Sequence, residues 1–398
     1  MLNALSHRWL MTLIVAGTIF AGLHPAVFSY LVVGMGFLLT FMWRDERSEF
    51  VRADRVTVLL VLALFIFAAV SLHWTTDPAR ALYDLLATGI LSLVALCLPA
   101  GISGLSSEQI RQGLRWFIAV YGFAFLCLAM DLLFNLVFQR ALLHFEWQRY
   151  APLSLADRSC FCLLLLLWPA LVYLWQRGWR ISAGLLWFFI GVFMLLSDTA
   201  AGRLAFAVST LVGGLSLMSP RMARVILGIA MLGGLGISVP LAEVAQGWAT
   251  DHIHPINGSF GQRLEIWEFT AKRILEKPIL GWGFDSARAI PNMGEVSKYQ
   301  GPLESIIPVH PHDWFLQIIL ELGVVGAGLM IALWLWWLHL TSRLHPAVQP
   351  AALAIYSVAM VIGGFSIGMW QSWWLAALIF TAMILQLLSR WATAETAP

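Results

Sequence analysis

Residues 313–338 read DWFLQIILELGVVGAGLMIALWLWWL, and only Asp313 and Glu321 among these 26 positions are charged. A helix crosses a bilayer with about 20 largely apolar residues, so this run reads as a membrane span. Asp313 stands where the N-cap of that helix belongs. Just before it comes Val309-His310-Pro311-His312. His312 is thus expected at the positive end of the helix, where the dipole disfavours imidazolium and keeps the ring neutral near pH 7. A neutral histidine at a membrane–water boundary is a usable general base.

Eleven further runs have the same character, at about 8–23, 25–43, 56–73, 81–99, 113–137, 159–176, 181–197, 203–218, 223–240, 350–369 and 371–390. Pro25, Pro99-Ala-Gly101, Pro220 and the Pro346/Pro350 pair mark helix boundaries between them. No small-x-small cleavage site follows the first run, which therefore reads as a retained span rather than a signal peptide. Hydrophobic residues make up 60% of the 398 and charged residues 12%, against roughly 25% charged in a soluble chain. Too few charges remain to coat soluble domains, and a net charge of +2 carries no basic footprint for nucleic acid. A soluble enzyme, a disordered chain and a nucleic-acid binder are excluded. The twenty tryptophans suit aromatic belts at two bilayer interfaces. Cys97, Cys127, Cys160 and Cys162 all lie in apolar stretches and read as small buried packers. The fold class is an all-α polytopic membrane protein of about 12 transmembrane helices. With both termini in the cytoplasm, thirteen arginines fall on inner segments and five on short outer ones, which favours that orientation. The chain then divides into spans 1–9 over 1–240, an outer loop over 241–312, and spans 10–12 over 313–398.

That outer loop is too long and polar for a simple connector. Within it, Gln262 to Glu276 has helical periodicity: Leu264, Trp267, Ala271, Ile274 and Leu275 share an apolar arc, with Glu265, Glu268, Lys272 and Glu276 opposite. Glu268 and Lys272 form a favourable four-residue pair. Pro278 ends the helix and Gly281-Trp282-Gly283 turns the chain. Arg263 lies at the edge of the apolar arc, so it either snorkels to headgroups or reaches inward to an anion. Arg203 opens a helix after Ser197-Asp198-Thr199, at the end where the dipole opposes a cation. Asp251-His252-Ile253-His254 and His310-Pro311-His312-Asp313 offer metal-ligand types without a zincin spacing. No metal site and no cofactor is assigned.

Thr199…Gly202-Arg203, Gly261-Gln262-Arg263-Leu264…Trp267…Pro278-Ile279-Leu280-Gly281-Trp282-Gly283, and His310-Pro311-His312-Asp313-Trp314-Phe315-Leu316-Gln317…Glu321-Leu322-Gly323…Gly326 together resemble the O-antigen ligase and polymerase superfamily. The ordered motifs cover roughly 195–326, and the large loop between late spans agrees with that family's topology. The family commonly has Asn where this chain has Asp313; either residue caps a helix. The position directly before Asp313 favours His312 over His310 as the family histidine.

The resemblance implies a GT-C-type glycosyltransferase in a bacterial inner membrane, its active site facing the periplasm. The implied donor is a polysaccharide on undecaprenyl diphosphate and the implied acceptor a sugar hydroxyl of lipid A–core. Transfer is expected to be inverting and metal-independent. Such a reaction needs a base for the acceptor hydroxyl and positive charge for the departing diphosphate. His312 suits the first task; Arg203 and Arg263 suit the second, since guanidinium forks match phosphate oxygens. Arg158, Arg288 and His310 are expected substrate-binding residues. Two other activities compete. A polymerase of the same superfamily shares the motifs, but its Arg-x10-Gly pattern, met by Arg203…Gly214, is expected by chance in a chain with 32 glycines, and the one sizeable late loop favours the ligase. A lipid-linked glycan transporter is disfavoured by the lack of an internal repeat or paired broken helices. Asp131 is the clearest charge within a span, and Arg80 with Asp84 reads as a local outer-face pair.

Overall fold

The computed structural model describes residues 2–23, 25–42, 54–134, 152–252, 258–297 and 305–396. Among these residues the chain is α-helical, with two short 3-10 turns and no strand. The helices are α1 Leu2–Leu23, α2 Pro25–Met42, α3 Arg55–Ser71, α4 Pro78–Ser103, α5 Ser107–Leu133, α6 Pro152–Gln176, α7 Arg180–Leu196, α8 Ala200–Met218, α9 Pro220–His252, α10 Gly258–Glu276, α11 Trp314–Leu340, α12 Gln349–Phe365 and α13 Ser372–Thr396. Each of the twelve expected apolar runs overlaps one of them. Seven, namely α4, α5, α6, α8, α9, α11 and α13, are long and apolar enough to cross a membrane by length and composition. Large apolar side chains stay exposed on outward faces, among them Ile181 and Leu195 of α7, Leu211 and Leu217 of α8, and Val225 and Ile229 of α9. Exposed apolar surface on that scale suits contact with lipid rather than water.

Helix α6 runs through the centre, buried without a break from Ser159 to Ala170; its Leu163 carbonyl accepts from the Tyr121 hydroxyl at 2.9 Å. Two boundary expectations are corrected. Pro99 lies inside α4, which continues to Ser103, and Arg390 of α13 donates to the carbonyls of Ile102, Ser103 and Leu105 at that helix end. Pro240 lies inside α9, which runs on to His252, well past the expected boundary at 240. All four cysteines are free thiols, three of them buried.

Helix α11 is broken at Gly323 (φ 61°, ψ −167°). Backbone groups freed inside an apolar bundle must find partners, and residues 278–283 supply them. Trp282 and Gly283 donate N–H to the carbonyls of Leu320 and Glu321 at 2.8 Å, while Val324 and Val325 donate to Pro278 and Ile279 at 2.9 and 3.4 Å. Gly281 and Gly323, both at positive φ, meet across this seam, where a Cβ on either would collide with the opposite backbone. The seam carries the outer loop down beside the first turns of α11.

Candidate active site

The site begins at the first turn of α11. Asp313 caps it as expected, Oδ1 accepting the N–H of Phe315 at 2.7 Å and of Leu316 at 3.0 Å. His312, immediately before the cap, takes the left-handed conformation at φ 59°, rare for a residue with a Cβ and frequent at functional positions. Its Nδ1 lies 2.6 Å from the carbonyl of Ser366. A carbonyl only accepts, so Nδ1 carries the proton and Nε2 keeps the lone pair. Burial lowers the His312 pKa; the Ser366 carbonyl opposes that shift and the Arg263 guanidinium adds to it.

His310 is the buried neighbour, its ring 4.2 Å from that of His312. The His312 backbone N–H donates to its Nδ1 at 3.1 Å, and the Gln371 side-chain amide lies 3.0 Å from its Nε2. Both ring nitrogens are therefore engaged inside the protein. Burial, followed by His312 and the guanidiniums of Arg288, Arg158 and Arg263, drives its pKa well below the ordinary histidine value.

Helix α10 delivers Arg263. Its amphipathic pattern holds with two corrections: Glu265 is buried and accepts from the Ser297 hydroxyl at 2.7 Å, and Leu275 is exposed. The expected Glu268–Lys272 pair is present at 3.2 Å. Trp267 donates its indole N–H to the Pro311 carbonyl at 2.9 Å, pinning α10 to the histidine loop. One turn earlier, Arg263 acts electrostatically on both histidines; burial lowers its pKa and Asp157 opposes that. Arg203 is not drawn into this group. It sits in the first turn of α8, exposed, behind the Thr199 cap that accepts from Gly202 N–H at 3.2 Å. Among the described residues its guanidinium makes no ion pair. Asp198, in the loop before α8, and Arg263 both act electrostatically on Asp157.

Beside His310 a cavity of about 230 Å³ opens, lined also by Arg158 and Arg288, so the three expected substrate-binding residues share one space. The sequence reading missed the rest of its wall: Arg80, Asp84, Asp285, Gln317, Trp370, Gln371 and Trp373. Arg80 and Asp84 are paired at 3.0 Å as read, yet they face this cavity. Behind the wall lies Glu321, fully buried, accepting from Gln317 Nε2 at 3.1 Å, Trp370 Nε1 at 2.5 Å and Asp285 N–H at 3.1 Å. Gln317 Oε1 in turn accepts the Met369 N–H at 2.8 Å. This network ties the 284–288 turn and the 366–371 linker to α11. The signal for it was present, since Gln317 and Glu321 are polar groups four residues apart in an apolar helix. The Asp251-His252-Ile253-His254 motif runs partly outside the described residues.

Residues 183–331 match the family model described as O-antigen ligase. That range includes Arg203, Arg263, Arg288, His310, His312 and Glu321, but neither Arg158 nor the 366–371 linker. A protein of Rickettsia felis named "Putative polysaccharide ligase" is 30% identical over 239 residues, 59% of this chain and 59% of that protein. Similarly named proteins of Rickettsia typhi and Rickettsia conorii are 27% and 29% identical over 239 residues, 59% of this chain and 59% and 58% of their own lengths.

Proposed function

We propose that the chain, which matches the O-antigen ligase family model over residues 183–331, transfers a polysaccharide from undecaprenyl diphosphate to a sugar hydroxyl of lipid A–core. On this proposal it is a GT-C-type glycosyltransferase of a bacterial inner membrane, with about twelve spans, both termini cytoplasmic and its site facing the periplasm. The observation that carries it is His312 Nδ1 lying 2.6 Å from the Ser366 carbonyl, which leaves Nε2 as the basic nitrogen, in the field of Arg263. The acceptor oxygen attacks the anomeric carbon while its proton passes to His312 Nε2. The bond from that carbon to the diphosphate oxygen breaks, the electron pair leaves with the diphosphate, and the anomeric centre inverts. Arg263 stabilises the departing charge. Arg203 approaches the diphosphate from the α8 terminus, Arg158 and Arg288 bind substrate, and His310 lines the pocket beside them. Base and positive charge both come from side chains, so exhaustive chelation is expected to leave turnover unchanged.

The two histidines divide the work on this proposal. His310 has both nitrogens engaged and orients His312, whose Nε2 accepts the proton. Reconstitution with purified protein, lipid-linked polysaccharide and lipid A–core tests the activity. Glycan on lipid A–core supports the ligase. Longer lipid-linked chains without transfer identify the polymerase instead, and no product at all reopens the transporter.

A further inference from the structure

The cavity beside His310 is larger than a proton transfer needs, and its wall has its own chemistry. Asp84 and Asp285 place carboxyl groups in it, Gln317 and Gln371 place amides, and Trp370 and Trp373 place indole rings. A sugar suits this lining well. Each hydroxyl both donates and accepts, so it matches a wall of mixed donors and acceptors, and the C–H face of a pyranose packs on indole. The volume, about 230 Å³, accommodates a single ring.

The charges do not cancel. Arg80 is engaged by Asp84 at 3.0 Å. Arg288 holds Asp285 only at 3.6 Å, and both Arg288 Nε and Asp285 Oδ2 are buried without a hydrogen-bond partner among the described residues. Native proteins rarely leave such atoms unpaired. Asp285 is held at φ 51°, and burial, with Glu321 and Asp84 beside it, raises its pKa and so disfavours the carboxylate as a counter-charge. Arg158 stacks on the Trp373 ring at 5.4 Å and has no ion pair among the described residues. Two guanidiniums, Arg158 and Arg288, therefore face the space with charge to spare.

We propose that this cavity is the acceptor-sugar subsite, and that the sugar seated there carries a carboxylate or phosphate held by Arg158 and Arg288. The assignment to the acceptor rests on the ligase reading: His310 lines the cavity and touches His312, the base that must reach the acceptor hydroxyl.

Saturation-transfer NMR on the full-length protein in nanodiscs, with free D-glucuronate, D-glucose 6-phosphate and D-glucose, reads binding without turnover. The two acidic sugars are expected to bind and glucose to bind at least about tenfold more weakly, the scale of one lost charged hydrogen bond. Equal signals from glucose and glucuronate in the wild type overturn the proposal without any variant. Arg158→Gln and Arg288→Gln should lose the acidic preference; if both keep it, the assignment to these residues is wrong. In transfer assays Arg288→Gln should raise KM for an anionic acceptor about tenfold while leaving donor KM unchanged. A rise in donor KM alone moves the anion to the donor glycan and overturns the acceptor assignment. Acidic sugars binding to a wild type that transfers nothing would support the anionic-sugar subsite while sinking the ligase reading.

Discussion

His312 combines three constraints: a left-handed backbone, an Nδ1–H donated to Ser366, and a position one residue before a helix cap. Together they fix which nitrogen is basic, which residue type alone does not. His312→Ala is expected to lower turnover by about 10²–10⁴-fold, the usual weight of a general base, with membrane insertion unchanged; near-normal turnover would remove it from the mechanism. Because burial and Arg263 lower its pKa, the proton acceptor stays available below the ordinary histidine value. The acid limb of kcat/KM should therefore lie below about 6.5. Removing the Arg263 cation makes imidazolium less costly, so Arg263→Gln should shift that limb upward as well as slow the reaction. A limb that stays put would separate the two residues. Arg263→Lys should fall short of full activity, since an ammonium lacks the bidentate fork. Arg203→Lys should fall short for the same reason, and full activity in both lysine variants would show that bulk charge suffices.

Two element-level junctions put these residues together. The first is α10 on the histidine loop through Trp267 and Pro311. Trp267→Phe keeps an aromatic ring but leaves the Pro311 carbonyl unpaired, a local cost of about 1–3 kcal/mol. The expected outcome is a lower kcat together with a modestly lower melting temperature, measured by turnover and by melting in detergent. The second is the seam between 278–283 and the break in α11. Gly323→Ala places a Cβ against the Ile279 backbone at a φ that alanine resists, so a loss of at least about 1 kcal/mol is expected, read as a lower melting temperature. An unchanged melting point would mean the seam relaxes freely. The glycine-bearing motifs at 278–283 and 321–326, separate in sequence, thus form one structural unit, and its product is the placement of Glu321.

At the scale of the molecule, orientation is open to direct test. With the four native cysteines buried or half-buried, Val296→Cys in the outer loop should react with a membrane-impermeant maleimide in intact cells. Ala347→Cys, between α11 and α12, should react only after lysis. The reverse pattern would invert the topology. The membrane class, the positions of the apolar helices, the Asp313 cap and most of the α10 pattern were legible in the sequence. Each depends on composition, on a 3.6-residue period or on neighbours within one turn, and such properties survive without knowing what packs where. Arg80, Asp84 and the 370–373 residues carried no such mark, because their role comes from meeting Asp285 and His310 across some 60 to 230 positions of chain. The burial of Glu265, the exposure of Leu275 and the continuation of helices through Pro99 and Pro240 were likewise settled by packing. So too was the difference between His310 and His312, which lies in Gln371 and Ser366, partners contributed by a distant linker. Local chemistry therefore determined what kind of chain this is and where its helices run, while long-range contacts decided which polar groups face one another.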